Sequence, residues 1–282
     1  MEVVKTNTAL KKTILNLGTG SIGFVPTMGA LHMGHMSLLE KAIAENENTI
    51  CSVFVNPAQF NDPEDFKKYP LTIEDDMLKL KKAGCDIVYL PGVEDVFPEG
   101  LSENKIYELG GLDFKAEGEY RPGHFQGVAL VVDRLLEYVG PCKLYLGQKD
   151  IQQFQVIKYM IANTLHNVEA VMCPTIREPN GLAMSSRNKH LGSAEKAQLG
   201  IIYDTLCWAE KNIFHKPVKD IINDAKEKLI ECTYINDVEY FEILTLDDFE
   251  PVIEVSKSGP VVVCVAVNTN KARLIDNILL FY

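Results

Sequence analysis

The sequence predicts an α/β fold: a doubly wound, Rossmann-like parallel sheet in the N-terminal domain, followed by a smaller α+β lid domain. Three observations predict it. Short apolar runs alternate with amphipathic helical stretches as far as about Pro174. Those runs are apolar at consecutive positions, as strands covered on both faces are. Beyond Pro174 two long charged helical stretches are followed by three strand-like runs. At about 150 residues per domain, 282 residues hold roughly two domains; the change of pattern sets them at 1–174 and 175–282.

The elements follow in order. Ile22–Val25 is a short apolar strand followed by Pro26. Met33–Ala44 places Met36, Leu39 and Ile43 on one helical face. Ile50–Val55 is a second buried strand, closed by Asn56 and Pro57. Ile73–Ala83 is a charged surface helix carrying Met77, Leu80 and Ala83, and Gly84 stops it. Asp86–Leu90 is a third strand, ended by Pro91 and Gly92. Leu109–Gly123 is glycine-rich and reads as a long loop, a class often functional or mobile. A helix over Val128–Val139, a strand over Leu144–Leu146, a helix over Gln152–Ala162 and a strand over Val168–Met172 complete the first domain. The second domain reads as helices over Ala194–Ile213 and Val218–Cys232, then strands over Val238–Leu244, Val261–Val267 and Arg273–Leu280.

Composition narrows the function. Apolar residues make up 46% and charged residues 24%, which excludes a disordered or collagen-like chain. The net charge is −11, and neither half is basic: 16 Lys and Arg stand against 23 Asp and Glu up to Pro174, and 12 against 16 after it. A broad nucleic-acid footprint is therefore not expected. The seven cysteines form no CxxC and mostly sit in apolar runs, so they read as reduced core thiols in a cytoplasmic protein. The longest purely apolar run, Val261–Val267, is far short of a membrane span, and the N-terminus lacks a signal peptide's apolar core.

Four segments carry residues suited to chemistry. Pro26–His35 (PTMGALHMGH) follows a strand and opens a helix, so backbone N–H groups and the positive dipole end favour an anion there. His32 and His35 lie three apart on one face, and Gly34 leaves room for a flat ring. A bare HxGH elsewhere would read as two surface histidines; the strand, glycine loop and helix reverse that preference. Glu40 is the only nearby carboxylate on the helix, so no metal site made by protein ligands is expected. The segment is neither GxGxxG nor a Walker A loop, which counts against a dinucleotide oxidoreductase.

Phe54–Phe60 (FVNPAQF) leaves the carboxyl end of the second strand, where open α/β sheets bind ligands. The Gln59 carboxamide suits a hydroxy-carboxylate, although the segment alone would read as a simple strand exit. In Gly147–Gln153 (GQKDIQQ), Lys149 is a mobile cation for phosphate oxygens, Asp150 a helix cap or hydroxyl orienter, and Gln153 lies one turn on. In Met184–Asn188 (MSSRN), Ser185, Ser186 and Arg187 suit a phosphate-binding lid; a serine-rich loop alone would read as an ordinary loop, but the position near the domain boundary is what a mobile clamp needs.

PTMGALHMGH, FVNPAQF, RPGHFQGV (121–128), LGQKDIQQ, GLAMSSRN and ARLIDN (272–277) occur in that order. With them the chain resembles, over nearly its whole length, the pantoate–β-alanine ligases, or pantothenate synthetases, of the HIGH-motif adenylyl-transferring superfamily. Leu71, Leu130 and Leu136 depart from the family pattern outside these motifs. The resemblance implies a cytoplasmic homodimer that condenses pantoate with β-alanine, using ATP and Mg²⁺, through an enzyme-bound pantoyl adenylate. It places ATP contacts at Met28, Gly29, Ala30, Leu31, His32, Met33, Gly34, His35, Gly147, Gln148, Lys149, Asp150, Ile176, Met184, Ser185, Ser186 and Arg187. It places pantoate at Gln59 and Gln153, and β-alanine also near Gln59. It implies that His35 is the catalytic residue, with His32, Lys149 and Arg187 expected to converge on the same triphosphate and Mg²⁺ to be held mainly by the ATP phosphates. The partners are these small molecules, with no nucleic acid and no membrane.

Two other readings share part of the pattern. A nucleotidyltransferase of the same superfamily, whose product keeps the AMP, fits HxGH but not the QF and KDxQQ elements. A nucleotide-binding module without chemistry is opposed by the intact His32, His35, Lys149 and Arg187. A tRNA-charging role is disfavoured by a short acidic chain without an anticodon-type domain, whose MSSR lacks the two lysines of the usual loop.

Overall fold

The computed structural model describes residues 1–60, 66, 69–100, 105–255 and 259–281. They form two compact units: Met1–Asp113 with Arg121–Gly147 and Gln153–Pro174, and Phe114–Tyr120 with Gln148–Gln152 and Thr175–Tyr282. The main division thus falls between Pro174 and Thr175, and two short stretches earlier in the chain cluster with the second unit.

The first unit is a six-stranded sheet of β1 (Glu2–Val4), β2 (Ile22–Thr27), β3 (Asn48–Val53), β4 (Ile87–Tyr89), β5 (Cys142–Gly147) and β6 (Val168–Cys173), in the order β1-β4-β3-β2-β5-β6. Every pair is parallel. The chain winds outward from β2 on one side and from β5 on the other, so the topological switch lies between these two neighbours. Ligands of open α/β sheets bind at the carboxyl ends of strands beside such a switch. Met28–His35 follows directly from β2, and Gln148–Asp150 from β5.

Helices α1 (Asn7–Leu17), α2 (Met33–Glu45), α3 (Ile73–Ala83), α4 (His124–Val139) and α5 (Ile151–Ala162) connect the strands. α2 buries Met36, Leu38, Leu39 and Ala42 against Val25, Cys51, Val53 and Tyr145 in one apolar cluster. α3 has Glu74, Asp75 and Asp76 in its first turn and Lys81 and Lys82 in its last, both favourable to the helix dipole. Gly84 ends it at φ 88, a left-handed conformation that glycine adopts without strain. α4 is buried along most of its length and packs on α1 and on the turn Pro57–Gln59.

The second unit is an antiparallel sheet of β7 (Asp237–Thr245), β8 (Val261–Asn268) and β9 (Arg273–Leu280), in that order. Helix α6 (Ser193–Gln198) is followed by α7 (Ile201–Asn212) and α8 (Val218–Ile230), and these last two share the sheet's apolar core, which contains Leu206, Ile221, Leu229, Val263 and Leu274.

Three sequence expectations change. The helix expected over Ala194–Ile213 is two helices, broken at Leu199–Gly200. Asn180 Nδ2 donates to the carbonyls of Lys196 (2.6 Å) and Ala197 (3.2 Å) and so takes the end of α6. A Cβ at Gly200 would lie 2.4 Å from the Asn180 carbonyl oxygen, so only glycine admits this approach. The loop expected over Leu109–Gly123 holds two helical turns, Leu112–Phe114 and Glu117–Tyr120, the second buried by Glu117 and Gly118. The helix expected from Val128 begins at His124. All seven cysteines carry free thiols, five of them buried.

Candidate active site

In the first unit the site is built on the exit from β2. Thr27 Oγ1 donates to the Ser52 carbonyl (2.8 Å) and accepts the Gly29 N–H (3.2 Å), turning the chain out of the sheet. Gly29 (φ 82) and Ala30 (φ 50) are both left-handed. This turn is pinned from α3. The fully buried Asp76 accepts the Ala30 and Leu31 N–H groups, each at 2.8 Å, and the Thr72 hydroxyl at 3.1 Å. Lys79 Nζ donates to the Leu31 carbonyl at 2.9 Å.

The pinned turn delivers His32 to the N-cap of α2 and His35 to its first turn. His32 Nδ1 accepts the Gly34 N–H (3.1 Å), and His35 Nδ1 accepts the His32 N–H (3.3 Å). With both Nδ1 atoms accepting, each neutral ring carries its proton on Nε2. The ring centroids are 4.1 Å apart. Two imidazole donors therefore stand at the positive end of a helix.

Gln59 sits in the turn that leaves β3. The buried Asn56 accepts the Ala58 N–H (3.1 Å) and donates to Gln59 Oε1 (3.0 Å) and the Gly127 carbonyl (3.1 Å). Gln59 Nε2 donates to Met28 Sδ at 3.2 Å, which joins this turn to the histidine loop. His124 Nδ1 lies 2.9 Å from the Gln59 carbonyl, and Arg121 donates to it at 3.4 Å. A Cβ at Gly127 would stand 2.1 Å from the Ala58 carbonyl oxygen, so glycine is what lets α4 reach the turn. Gln153, half-buried in the first turn of α5, belongs to the same unit.

The second unit carries the other predicted residues: Gln148, Lys149, Asp150, Ile176 and Met184–Arg187. Gln148–Asp150 is a single 3-10 turn, and the Lys149 ammonium lies 3.4 Å from Asp150 Oδ1. The Ile176 carbonyl accepts the Met184 N–H at 2.9 Å, closing a small hairpin over Arg177–Ala183. Ser185 then caps the turn Ser186–His190 by accepting the Arg187 N–H at 3.3 Å, with Ser186 buried and Arg187 half-buried. Arg177 pairs with the buried Asp276 through both guanidinium Nη atoms. Burial pushes the Asp276 carboxyl above its ordinary value, against the pull of Arg177. Among the described residues, no group of three or more His, Cys, Asp or Glu could hold a metal ion, and no helix is long and apolar enough to cross a membrane.

The structure thus brings His32 to His35 and Met28 to Gln59 in the first unit, and Ile176 to Met184 in the second. Sequence reasoning missed Asp76, Asn56, Gly127 and the Arg177–Asp276 pair. Asp76 left one signal: it shares the inward face of α3 with Leu80, four positions on, where a solvated carboxylate has no place.

A family model described as pantoate-beta-alanine ligase matches residues 2–279. A pantothenate synthetase from Cytophaga hutchinsonii is 45% identical over 265 residues, covering 92% of both chains. One from Porphyromonas gingivalis is 41% identical over 281 residues, covering 99% of both. The crystal structure of pantothenate synthetase from Thermus thermophilus matches with a TM-score of 0.91 at 37% identity, covering 99% of both chains. That of a pantoate-beta-alanine ligase from Francisella tularensis, complexed with beta-gamma ATP and beta-alanine, matches with a TM-score of 0.81 at 34% identity, covering 99% of this chain and 97% of that one.

Proposed function

Because the chain belongs to the pantoate–β-alanine ligase family, and so condenses pantoate with β-alanine at the expense of ATP, we propose that the reaction runs through an enzyme-bound pantoyl adenylate. A carboxylate oxygen of pantoate attacks the α-phosphorus of ATP, and pyrophosphate leaves with the electron pair of the broken P–O bond. The β-alanine amine then adds to the acyl carbon, AMP departs with the C–O electron pair, and the new amide nitrogen gives up its proton.

Both reactants of the first step are anions, so charge must be cancelled and the attack held in line. In this reading His32 and His35 offer Nε2–H donors at the mouth of α2, and Lys149 and Arg187 bring fixed positive charge to the phosphates. Carboxylate attack moves no proton, so His35 serves as a hydrogen-bond donor. Gln59 and Gln153 select the hydroxy-acid, because a ligand lacking the matching group leaves a carboxamide unpaired. Mg²⁺ travels on the triphosphate, and when bound it neutralises phosphate charge. The reading extends to a cytoplasmic homodimer, for which the seven free thiols and the family membership are the support.

The observation that carries the reading is the imidazole pair at the helix N-terminus, each Nδ1 engaged by a backbone N–H. The test is exchange of labelled pyrophosphate into ATP without any amine. Exchange that depends on pantoate is expected. A folded sample that exchanges nothing, or that exchanges without pantoate, overturns the reading.

A further inference from the structure

The ARLIDN segment, Ala272–Asn277, is a sequence motif to which the proposed reaction gives no task. It opens β9, and its last two residues are almost fully buried, Asp276 at 3% and Asn277 at 1% exposure. Polar side chains in such positions are kept where their hydrogen bonds are satisfied. Asn277 meets that condition on the lysine turn. Its Nδ2 donates to the Gln148 carbonyl and to the Lys149 carbonyl, both at 2.9 Å, and its Oδ1 lies 3.4 Å from Gln148 Nε2. One carboxamide is thus spent, through three hydrogen bonds, on two consecutive residues of a single 3-10 turn. Such a turn has little stability of its own. The carboxamide is also specific: a carboxylate at this position would aim its lone pairs at two carbonyl oxygens.

We propose that Asn277 is the positioning residue for Lys149, fixing the backbone from which that ammonium reaches the phosphates. The inference rests on the assignment of Lys149 to the triphosphate. Asp276 stiffens the same bolt. It receives the Asn277 N–H at 2.8 Å and both Nη atoms of Arg177, while Arg177 also donates to the Asn277 carbonyl at 3.3 Å and to the Gly181 carbonyl at 3.0 Å. One buried dipeptide therefore braces both the lysine turn and the hairpin that joins Ile176 to Met184.

The test is the pantoate-dependent exchange assay on the full-length protein with Asn277→Ala, the isosteric Asn277→Asp, Lys149→Ala and the double variant Asn277→Ala with Lys149→Ala. Each Asn277 variant is expected to lower kcat/KM for ATP by about 10- to 100-fold, the scale of a misplaced charged group, with KM for pantoate nearly unchanged. The double variant is expected to match Lys149→Ala within about threefold, because a residue acting through Lys149 has nothing left to position. Additive losses, or equal losses towards ATP and pantoate, overturn the proposal. Failure of both single Asn277 variants to fold also overturns it, since Asn277 then belongs to the core alone. Absence of pantoate-dependent exchange in the wild-type protein is a separate result, and it removes the functional reading on which the inference stands.

Discussion

Asp76→Ala removes the anchor of the histidine loop. The carboxylate is fully buried and holds the Ala30 and Leu31 N–H groups at 2.8 Å. Depriving a buried donor of its acceptor costs about 1–3 kcal/mol, so two give about 2–6 kcal/mol. Ala30 is held at φ 50, a conformation that costs an L-residue about 1–2 kcal/mol. Once released, the turn sheds that strain, which brings the middle of that range, about 4 kcal/mol, down to a net loss of about 2–3 kcal/mol. At an m-value of about 2 kcal/mol/M, the urea midpoint falls by about 1–1.5 M. The sole tryptophan, Trp208, lies in the second unit, so far-UV circular dichroism rather than fluorescence is the readout for this change. Exchange per folded molecule should fall by at least about 100-fold, because His32 and His35 shift when the turn relaxes. Asp76→Asn keeps one acceptor and should lose about half as much stability. A variant that melts like the wild type refutes the burial argument. One that is destabilised but exchanges at full rate refutes the claim that Asp76 sets the positions of the histidines.

Three further outcomes are expected. His35→Gln, which keeps a donor near the position of Nε2, should retain most of the exchange activity, whereas His35→Ala should lose about 100-fold or more; equal losses would mean that hydrogen-bond donation is the wrong role. Gly127→Ala drives a Cβ to within 2.1 Å of the Ala58 carbonyl oxygen, so it should raise KM for pantoate through the Gln59 turn and leave KM for ATP nearly unchanged; the reverse pattern would uncouple α4 from that turn. Burial works to raise the Asp133 carboxyl, but hydrogen bonds from Lys105, Tyr107 and His166 outweigh it and hold the group below its ordinary value near 3.8. The folded state then binds fewer protons than the unfolded chain, so the stabilisation is complete above that value and is lost as pH falls through the lowered one. Asp133→Asn should therefore flatten the stability profile below about pH 5 in urea titrations, and an unchanged acid slope would refute the assignment.

What the sequence makes legible is what neighbouring residues determine. α3 is placed to the residue, Ile73–Ala83, because its acidic first turn, basic last turn and Gly84 all lie within or beside it. The histidine pair is legible because strand, glycine turn and helix start are contiguous. β1 and α1 escape: the strand has three residues, and α1 buries only Leu10 and Thr13 and leaves Leu15 exposed. The break between α6 and α7 depends on Asn180, which no local pattern near Gly200 reveals. The same physics hides Asp76 and Asn277. Each binds backbone far away in sequence, 46 residues for Asp76 to Ala30 and 128 for Asn277 to Lys149, and a hydrogen bond to a distant backbone group leaves no periodicity to read.

The candidate site residues share one mode of support. Met28–His32, Asn56–Gln59, Gln148–Asp150 and the start of Ser186–His190 are short turns with few hydrogen bonds of their own. Each is held by a buried Asp or Asn: Asp76, Asn56, Asn277, and Asn188, whose Nδ2 donates to the Ala183 carbonyl at 3.0 Å. Backbone groups satisfied by such a bolt do not depend on the ammonium of Lys149 or the guanidinium of Arg187 for their hydrogen bonds. Two classes of substitution should therefore separate. Losses at the bolts move stability and activity together, because the turn itself loosens. Truncations at Lys149 and Arg187 should move activity more than stability, because the Gln148–Asp150 and Ser186–His190 turns are held by Asn277 and Asn188 rather than by these cations.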